Sequence, residues 1–383
     1  MDGRSLASPA LRGWDRYMIG LATELVKRRV ALTLFYREGT PLYSAHVAQI
    51  GCEVVGLKSS TGLQWEQVTL PRALRRGHYD IYHAPAEHAV PLLSPCPTVL
   101  TIHSLTWHSY EHLVKSGQLP GTTSDYLGPE SAWKDRLYWN MQVALAGHIL
   151  TPSAFSREEI IRLLRVPANK VTVTPLGLPA QFLEPAKKES DLADPSIKPP
   201  YLLYVGGYER HKNVSGLLEV FSLVRKKSPG ISLVLVGTKG VSAELLSQAE
   251  RLGLQSGRDV FFLADLGEQL TALYDRAEMF VTLSWRESFG LPALEAMSRG
   301  LRVVGSAWGA MPEVVGELGA CVDPRNHIAA AHVILSFLAQ PASSKLAAQL
   351  RARARDFSWS RTADETIKVY HALSERRAPA VVC

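Results

Sequence analysis

Short apolar runs alternate along this chain with longer stretches in which apolar residues return every three or four positions. In the first half, Val30–Tyr36, Gly51–Val55, Ile81–His83, Thr98–Ile102, His148–Leu150 and Val171–Val173 read as strands. Between them, Trp14–Arg29 places Tyr17, Met18, Leu21 and Leu25 on one helical side, and Ser131–Ala146 and Ser156–Leu164 also read as helices. A second series follows, with strands at Tyr201–Val205, Ser232–Val236, Val260–Leu263, Met279–Leu283 and Arg302–Val304, and a helix at Ser215–Lys227. Asp356–Tyr370 reads as a last, capped helix. Strands that alternate with helices form parallel α/β sheets, whose ligands gather past the carboxyl ends of the strands.

The two series are separated by Pro179–Pro200, a stretch rich in proline and charge that reads as a linker. The expected organisation is a first domain over residues 1–183, a linker over 184–200, a second domain over 201–356 and a final segment, 357–383. The N-terminus does not fit this scheme. A right-handed βαβ unit needs a strand before the helix Trp14–Arg29, and Met1–Leu11 contains none. Either the natural product starts upstream, or this sheet lacks a strand usually central to it.

Candidate chemistry concentrates in Ser284–Met297, which carries Glu287 and Glu295 on either side of a helix start. Ser288 offers an N-cap and Pro292 fits the first turn, so the helix is expected to begin near Gly290 or Leu291. The free N–H groups and positive dipole end there make an anion site, and Gly290 lets a ligand approach the backbone. An elongated ligand can then have its anion held in the middle while an acid accepts hydroxyl hydrogen bonds at each end. A nucleoside diphosphate sugar has that shape; a plain strand, loop and helix with two solvated glutamates fits the same pattern.

Arg210 and Lys212, in the loop after Gly206 and Gly207, would set two cations opposite that helix start. Fixed cations there stabilise the charge that gathers on a leaving diphosphate. A solvated basic loop is the alternative. His83, His103 and Ser104 fall at strand ends in the first series, where a ligand is expected. His103 could donate to a sugar hydroxyl or be a buried structural histidine.

A chain of 383 residues is long enough for two domains, and 46% hydrophobic with 20% charged residues is a globular composition. No apolar run approaches the ~20 residues that span a bilayer, and no basic-then-apolar leader opens the chain. The expectation is a cytoplasmic protein, with peripheral contact at the inner membrane face left open. Lys plus Arg number 42 against 36 acids, giving +6 and a pI near 9.1. That surplus suits an anionic substrate, a membrane face or nucleic acid without choosing among them. Solvated helix ends account for the clusters Lys27–Arg29, Arg225–Lys227 and Arg351–Arg355. Trp14 and the basic end of its helix could touch a membrane, although core packing is the favoured role for Trp14.

Cys52, Cys96, Cys321 and Cys383 are scattered, which reads as free thiols and not as a disulfide framework or zinc site. His108 and His112 share a helix face but lack a third ligand, so no metal is expected. No Gly-x-Gly-x-x-Gly follows a strand and no P-loop or Gly-x-Ser-x-Gly is present, which disfavours a nicotinamide dehydrogenase.

The segment Glu287-Ser-Phe-Gly-Leu-Pro-Ala-Leu-Glu295 resembles the E-x7-E motif of the retaining, GT-B-fold glycosyltransferases of family 4. Tyr204–Gly207 with Lys212-Asn213, Met311–Val314, Val322–Pro324 and Phe357–Trp359 add to that resemblance. Asp2–Ser5, Thr101–His103, Ser153–Ser156 and Val173–Gly177 extend it, more loosely, over the first half. The resemblance implies an α/β architecture of two Rossmann-like, parallel-sheet domains facing across a cleft. The donor would lie in the C-terminal domain, and the last helix would return to the N-terminal one.

By the same carry-over, Glu295 would hold the ribose and Glu287 the transferred sugar. Backbone at Phe289, Gly290 and Leu291 would hold the diphosphate, with Arg210 and Lys212 its cations; Gly206, Gly207 and Ser288 would line the donor site, and backbone near Thr238 and Leu266 would meet the base. Arg210 and Lys212 would do a metal's work, so neither metal nor other cofactor is implied. Three departures stand out. His211 occupies the place where the family often has arginine, the glycine loop reads Gly13-Trp14-Asp15, and the usual His-Asp pair is His103-Ser104.

The reading that follows is a retaining hexosyltransferase using a UDP- or GDP-linked sugar. Its acceptor would be a hydroxyl of a glycan or lipid-linked molecule, and nucleic acid is not an expected partner. Glu287, Lys212, Arg210 and His103 are the expected catalytic set, with Gly13, Trp14, His83 and Ser104 on the acceptor side. A non-catalytic sugar-nucleotide binder and a sugar-nucleotide epimerase on a similar fold are the alternatives.

Overall fold

The computed structural model describes residues 1–7, 13–40, 42, 44–86, 89–127, 132–184, 194–237, 240–264, 266–340 and 342–375. In chain order come α1 (Gly13–Lys27), β1 (Thr33–Arg37), β2 (Glu53–Leu57), β3 (Tyr82–Ala84), β4 (Thr98–Thr101), α2 (Thr106–Lys115) and α3 (Thr123–Leu127). They are followed by β5 (His148–Thr151), β6 (Val171–Val173), β7 (Tyr201–Val205), α4 (Val214–Lys227), β8 (Ser232–Gly237), β9 (Val260–Ala264) and β10 (Met279–Val281). The last are α5 (Leu291–Ser298), β11 (Arg302–Ser306), β12 (Ala320–Val322) and α6 (Trp359–Glu375), with further helices between. The chain divides into two compact units, one of Met1–Ser109, Glu130–Gly177 and Ser358–Cys383, the other of Tyr110–Pro129 and Leu178–Phe357. Tyr110–Pro129, expected within the first domain, therefore groups with the second unit.

In the first unit β3-β4-β5-β6 form a parallel sheet and β1-β2 a parallel pair. The expectation that nothing strand-like precedes α1 is corrected here. Asp2 bridges Phe35 of β1 in parallel, and its N–H donates to His83 O of β3 at 3.1 Å. The N–H groups of Gly3 and Phe35 close the ladder, donating to Phe35 O and Met1 O at 2.7 and 2.9 Å. One bridging residue carries too few apolar positions to register as a periodic signal.

The stripe Tyr17, Met18, Leu21 and Leu25 on α1 is fully buried, each such side chain contributing about 1.5–3 kcal/mol by leaving water. Trp14 departs from its favoured core role, being 39% exposed. The basic end of α1 is tied down: Arg28 pairs with Asp364 at 2.7 Å and with Glu24 at 2.6 Å.

Helix α6 packs on α1, and its Val369 and Leu373 cluster with Val99 and Leu150 of the sheet. Gly20 and Gly177 lie against Trp359 so closely that a Cβ on either would overlap the indole or its backbone.

The second unit holds one six-stranded parallel sheet, ordered β12-β11-β10-β7-β8-β9. β8 is buried at every position and β7 at all but its last, which is why both read as continuous apolar runs. Leu217, Leu218, Phe221 and Val224 of α4 pack in the same core as Leu202, Leu233 and Leu235. β12 was not anticipated; all three of its residues are only half-buried at the sheet edge. The strand order reverses between β7 and β10, and ligands of open α/β sheets bind where it does so.

Gly177→Ala is expected to destabilise the chain by about 1–3 kcal/mol, because the added methyl meets backbone and not a movable side-chain tip. Gly230→Ala, whose Cβ would meet nothing within 4 Å, serves as the control in the same thermal denaturation. Equal melting temperatures for the two variants would contradict this packing.

Candidate functional site

The loops after β7 and β10 are joined by one backbone hydrogen bond and one from a side-chain amide. Past β7 the chain makes a 3-10 turn, Arg210–Lys212, and Asn213 takes a left-handed φ of 53°. The Asn213 side chain accepts from Gly216 N–H at 3.2 Å, capping α4, and its Nδ2 donates to Leu283 O at 2.9 Å. The carbonyl of His211 accepts from Trp285 N–H at 3.1 Å. These contacts bring Lys212 Nζ to 3.0 Å from Glu287 Oε1 and 3.3 Å from Oε2.

Glu287 is also held from behind. It bridges Gly309 in parallel, and its carbonyl accepts from Ala310 N–H at 2.8 Å. Gly309 has φ 96°, and a Cβ there would fall on the Glu287 backbone, so glycine is needed twice over. Helix α5 starts as expected at Leu291 with Pro292 in its first turn, but its N-cap is Gly290, φ 100°, without a side-chain cap. The expectation of a Ser288 cap is corrected. The Met311 sulfur lies under Gly290 where a Cβ would go. Phe289 is 3% exposed, with its ring edge-on to Phe357 at 5.6 Å.

Neither motif acid is a solvated surface group. The Glu287 side chain is 19% exposed. Glu295 is 1% exposed and accepts from Tyr274 Oη at 2.9 Å. Burial pushes the Glu287 carboxyl up, but the charge and hydrogen bonds of Lys212, with the Ser284 hydroxyl, bring it below its ordinary value. Burial lowers Arg286 to about 10, against the pull of Tyr110 and Glu287, so it stays cationic at neutral pH. His211 is also lowered, by burial and then by Lys212, and is neutral there. Arg210 is exposed, and its charge is felt by Asp125 and Tyr126 of α3.

The other expected residues are placed as follows. Gly206 commits its N–H to Val236 O at 2.9 Å, extending the sheet, and Gly207 O accepts from Tyr204 Oη at 2.7 Å. Leu266 is half-buried before the turn Gly267–Gln269, and Thr238 lies outside the described residues. In the first unit Gly13 is exposed, and the Ser104 hydroxyl bonds Thr106 Oγ1 at 2.5 Å.

His83 was expected at a ligand-facing strand end. It is instead internal, 2% exposed, with Nε2 on Thr101 Oγ1 at 2.7 Å and Nδ1 on Tyr370 Oη at 2.6 Å. Burial takes it down to about 3, so it is a neutral link between the sheet and α6. His103 is half-buried, and burial lowers it to about 4. Its Nε2 lies 2.8 Å from Pro85 O, which can only accept, so the proton is on Nε2 and the neutral ring presents Nδ1 as an acceptor. That reverses the donor role expected from sequence.

Sequence reasoning missed Tyr110, Tyr274, Arg286 and Gly309. Tyr110, Tyr274 and Gly309 carried no signal, whereas Arg286 stood within the segment Ser284–Met297. Among the described residues no group of three or more His, Cys, Asp or Glu could hold a metal ion, and Cys52, Cys96 and Cys321 form no disulfide. No described helix is long and apolar enough to cross a membrane.

Removing Lys212 takes away the charge and hydrogen bonds that chiefly oppose burial at Glu287 and leaves the weaker pull of Ser284, so its carboxyl should rise. In the wild type the lowered carboxyl contributes stability that is present above pH 4.5 and lost as pH falls through its folded value. In Lys212→Met the raised carboxyl favours the protonated fold, so stability should increase as pH drops from 7 toward 5. Melting temperature measured against pH for both proteins checks this; parallel curves would contradict it.

Residues 11–182 match the family described as glycosyltransferase family 4, and residues 187–357 that described as glycosyl transferases group 1. O-antigen chain mannosyltransferase B of Escherichia coli is 36% identical over 265 residues, covering 64% of this chain and 67% of that protein. The chain spans about two thirds of the length of the curated relatives it matches. Sucrose-phosphate synthase of Thermosynechococcus elongatus superposes with a TM-score of 0.74 at 21% identity over 98% of each chain. Anabaena HepE, solved with UDP-glucose, superposes with a TM-score of 0.69 at 17% identity, over 96% of this chain and 98% of its own. Both halves of the sequence and the two parallel-sheet units agree: this chain belongs to glycosyltransferase family 4 and has the GT-B fold.

Proposed function

We propose that the chain is a retaining hexosyltransferase that moves a sugar from a UDP- or GDP-linked donor to a hydroxyl of a glycan or lipid-linked acceptor. The observation that carries this reading is the Lys212–Glu287 pair at the strand-order reversal, beside the N-terminus of α5. A mannosyltransferase relative and a fold neighbour solved with UDP-glucose motivate testing both donor classes.

In this reading the N–H groups at Phe289–Leu291 and the ammonium of Lys212 bind the diphosphate, with Arg210 turning from Asp125 to join them. Glu295, its rotamer fixed by Tyr274, accepts from the ribose hydroxyls. Glu287 accepts from sugar hydroxyls and steadies positive charge at the anomeric carbon. As the bond from that carbon to phosphate breaks, the leaving oxygen takes the acceptor's proton, and the new bond forms on the same face. His103, through Nδ1, accepts from a substrate hydroxyl. The chain's own cations and helix end do the electrostatic work, so no metal is assigned. Peripheral membrane contact, through exposed Trp14, would serve a lipid-linked acceptor.

Purified protein with UDP- and GDP-hexoses should release nucleoside diphosphate, and proton NMR of the product should show the donor's anomeric configuration. Glu287→Ala and Lys212→Ala should each lower turnover by at least ~100-fold, the scale for a preorganised electrostatic group, and EDTA should leave it unchanged. Near-normal rates in either variant would remove that residue from the mechanism. Interconversion of the donor sugar without an acceptor would favour an epimerase, and binding without turnover a non-catalytic binder.

A further inference from the structure

The structure brings Tyr110 against the turn that carries Lys212. Tyr110 is 1% exposed, and its Oη donates to the carbonyl of His211 at 3.2 Å. Its ring meets His211 edge-on at 6.1 Å and Tyr126 of α3 at 5.6 Å. The same carbonyl accepts Trp285 N–H at 3.1 Å, so both its lone pairs are engaged. That carbonyl and the N–H of Lys212 belong to one planar peptide, and the N–H donates to Glu209 O at 2.8 Å. Rotating the Lys212 peptide would therefore break three hydrogen bonds, to Tyr110, Trp285 and Glu209.

We infer that Tyr110 is a positioning residue for the Lys212–Glu287 pair: its hydroxyl fixes the peptide from which Lys212 projects. Burial, with the nearby charge of Glu287, keeps the phenol protonated and so able to donate. Trp285, bonded to the same carbonyl, stands two residues before Glu287, so the peptide that Tyr110 holds is also tied to the loop that carries Glu287. The residue comes from the segment Tyr110–Pro129, which thereby completes a site otherwise built from Leu178–Phe357. Its catalytic consequence rests on the glycosyl-transfer reading of that site.

Tyr110→Phe keeps the ring packing and removes only the hydroxyl. With the wild type active, kcat should fall about tenfold, the scale of one hydrogen bond, while the donor KM stays near the wild-type value. Placed in a Lys212→Ala background, the same substitution should add almost nothing, since it acts through Lys212. A readout independent of turnover is the acetylation rate of Lys212 by peptide mass spectrometry, which should rise in Tyr110→Phe while that of exposed Lys345 does not. Unchanged labelling of Lys212, or an equal loss of kcat with and without Lys212, would overturn the assignment. A wild type that transfers nothing would sink the functional reading while the labelling still decides the role of Tyr110.

Discussion

The ion pair between Lys212 and Glu287 is a contact between two loops more than a contact between two side chains. Lys212 reaches it because Asn213 and the His211 carbonyl tie the β7 loop to the β10 loop, and Glu287 reaches it because Gly309 admits the backbone of the next loop. The pair is three-quarters or more out of water, 24% and 19% exposed at its two side chains. In such surroundings a charge without its partner is far less tolerable than at the surface. The sheet supplies the rest. β7 and β10 are neighbours only because the strand order reverses between them, so loops distant in sequence open side by side.

Much of this was legible in the sequence, and the reason is physical. Parallel strands buried on both faces are written as unbroken apolar runs, so Tyr201–Val205 was found at its true ends. The start of α5 was likewise written in Gly290 and Pro292. The alternation of strands and helices, with the motif segments, sufficed for an α/β fold of the GT-B kind. Elements whose existence depends on partners far away in sequence were not legible. Asp2 pairs at a single position, β12 is a half-buried edge, and the grouping of Tyr110–Pro129 with the second unit follows from contacts that no local pattern encodes.

The candidate site divides in the same way. Residue types named Glu287, Lys212 and Gly290, because acids, cations and a glycine at a helix start have chemistry in themselves. Orientation was beyond reach. Position at a strand end could not say that His83 points inward to Thr101 and Tyr370, nor that the Pro85 carbonyl sets the tautomer of His103. Trp14 shows the opposite error: a residue at the first turn of an amphipathic helix is large and apolar, yet it lies outside the buried stripe.

The proposed transfer requires a diphosphate between the loop after β7 and the start of α5. A crystal structure of the protein soaked with UDP tests that most directly. Diphosphate oxygens are expected within hydrogen-bonding distance of Lys212 Nζ and of backbone N–H groups at Phe289–Leu291, with the ribose hydroxyls on Glu295. A nucleotide bound elsewhere, or bound there with the Glu295 carboxylate still enclosed and out of reach of the ribose, would contradict it.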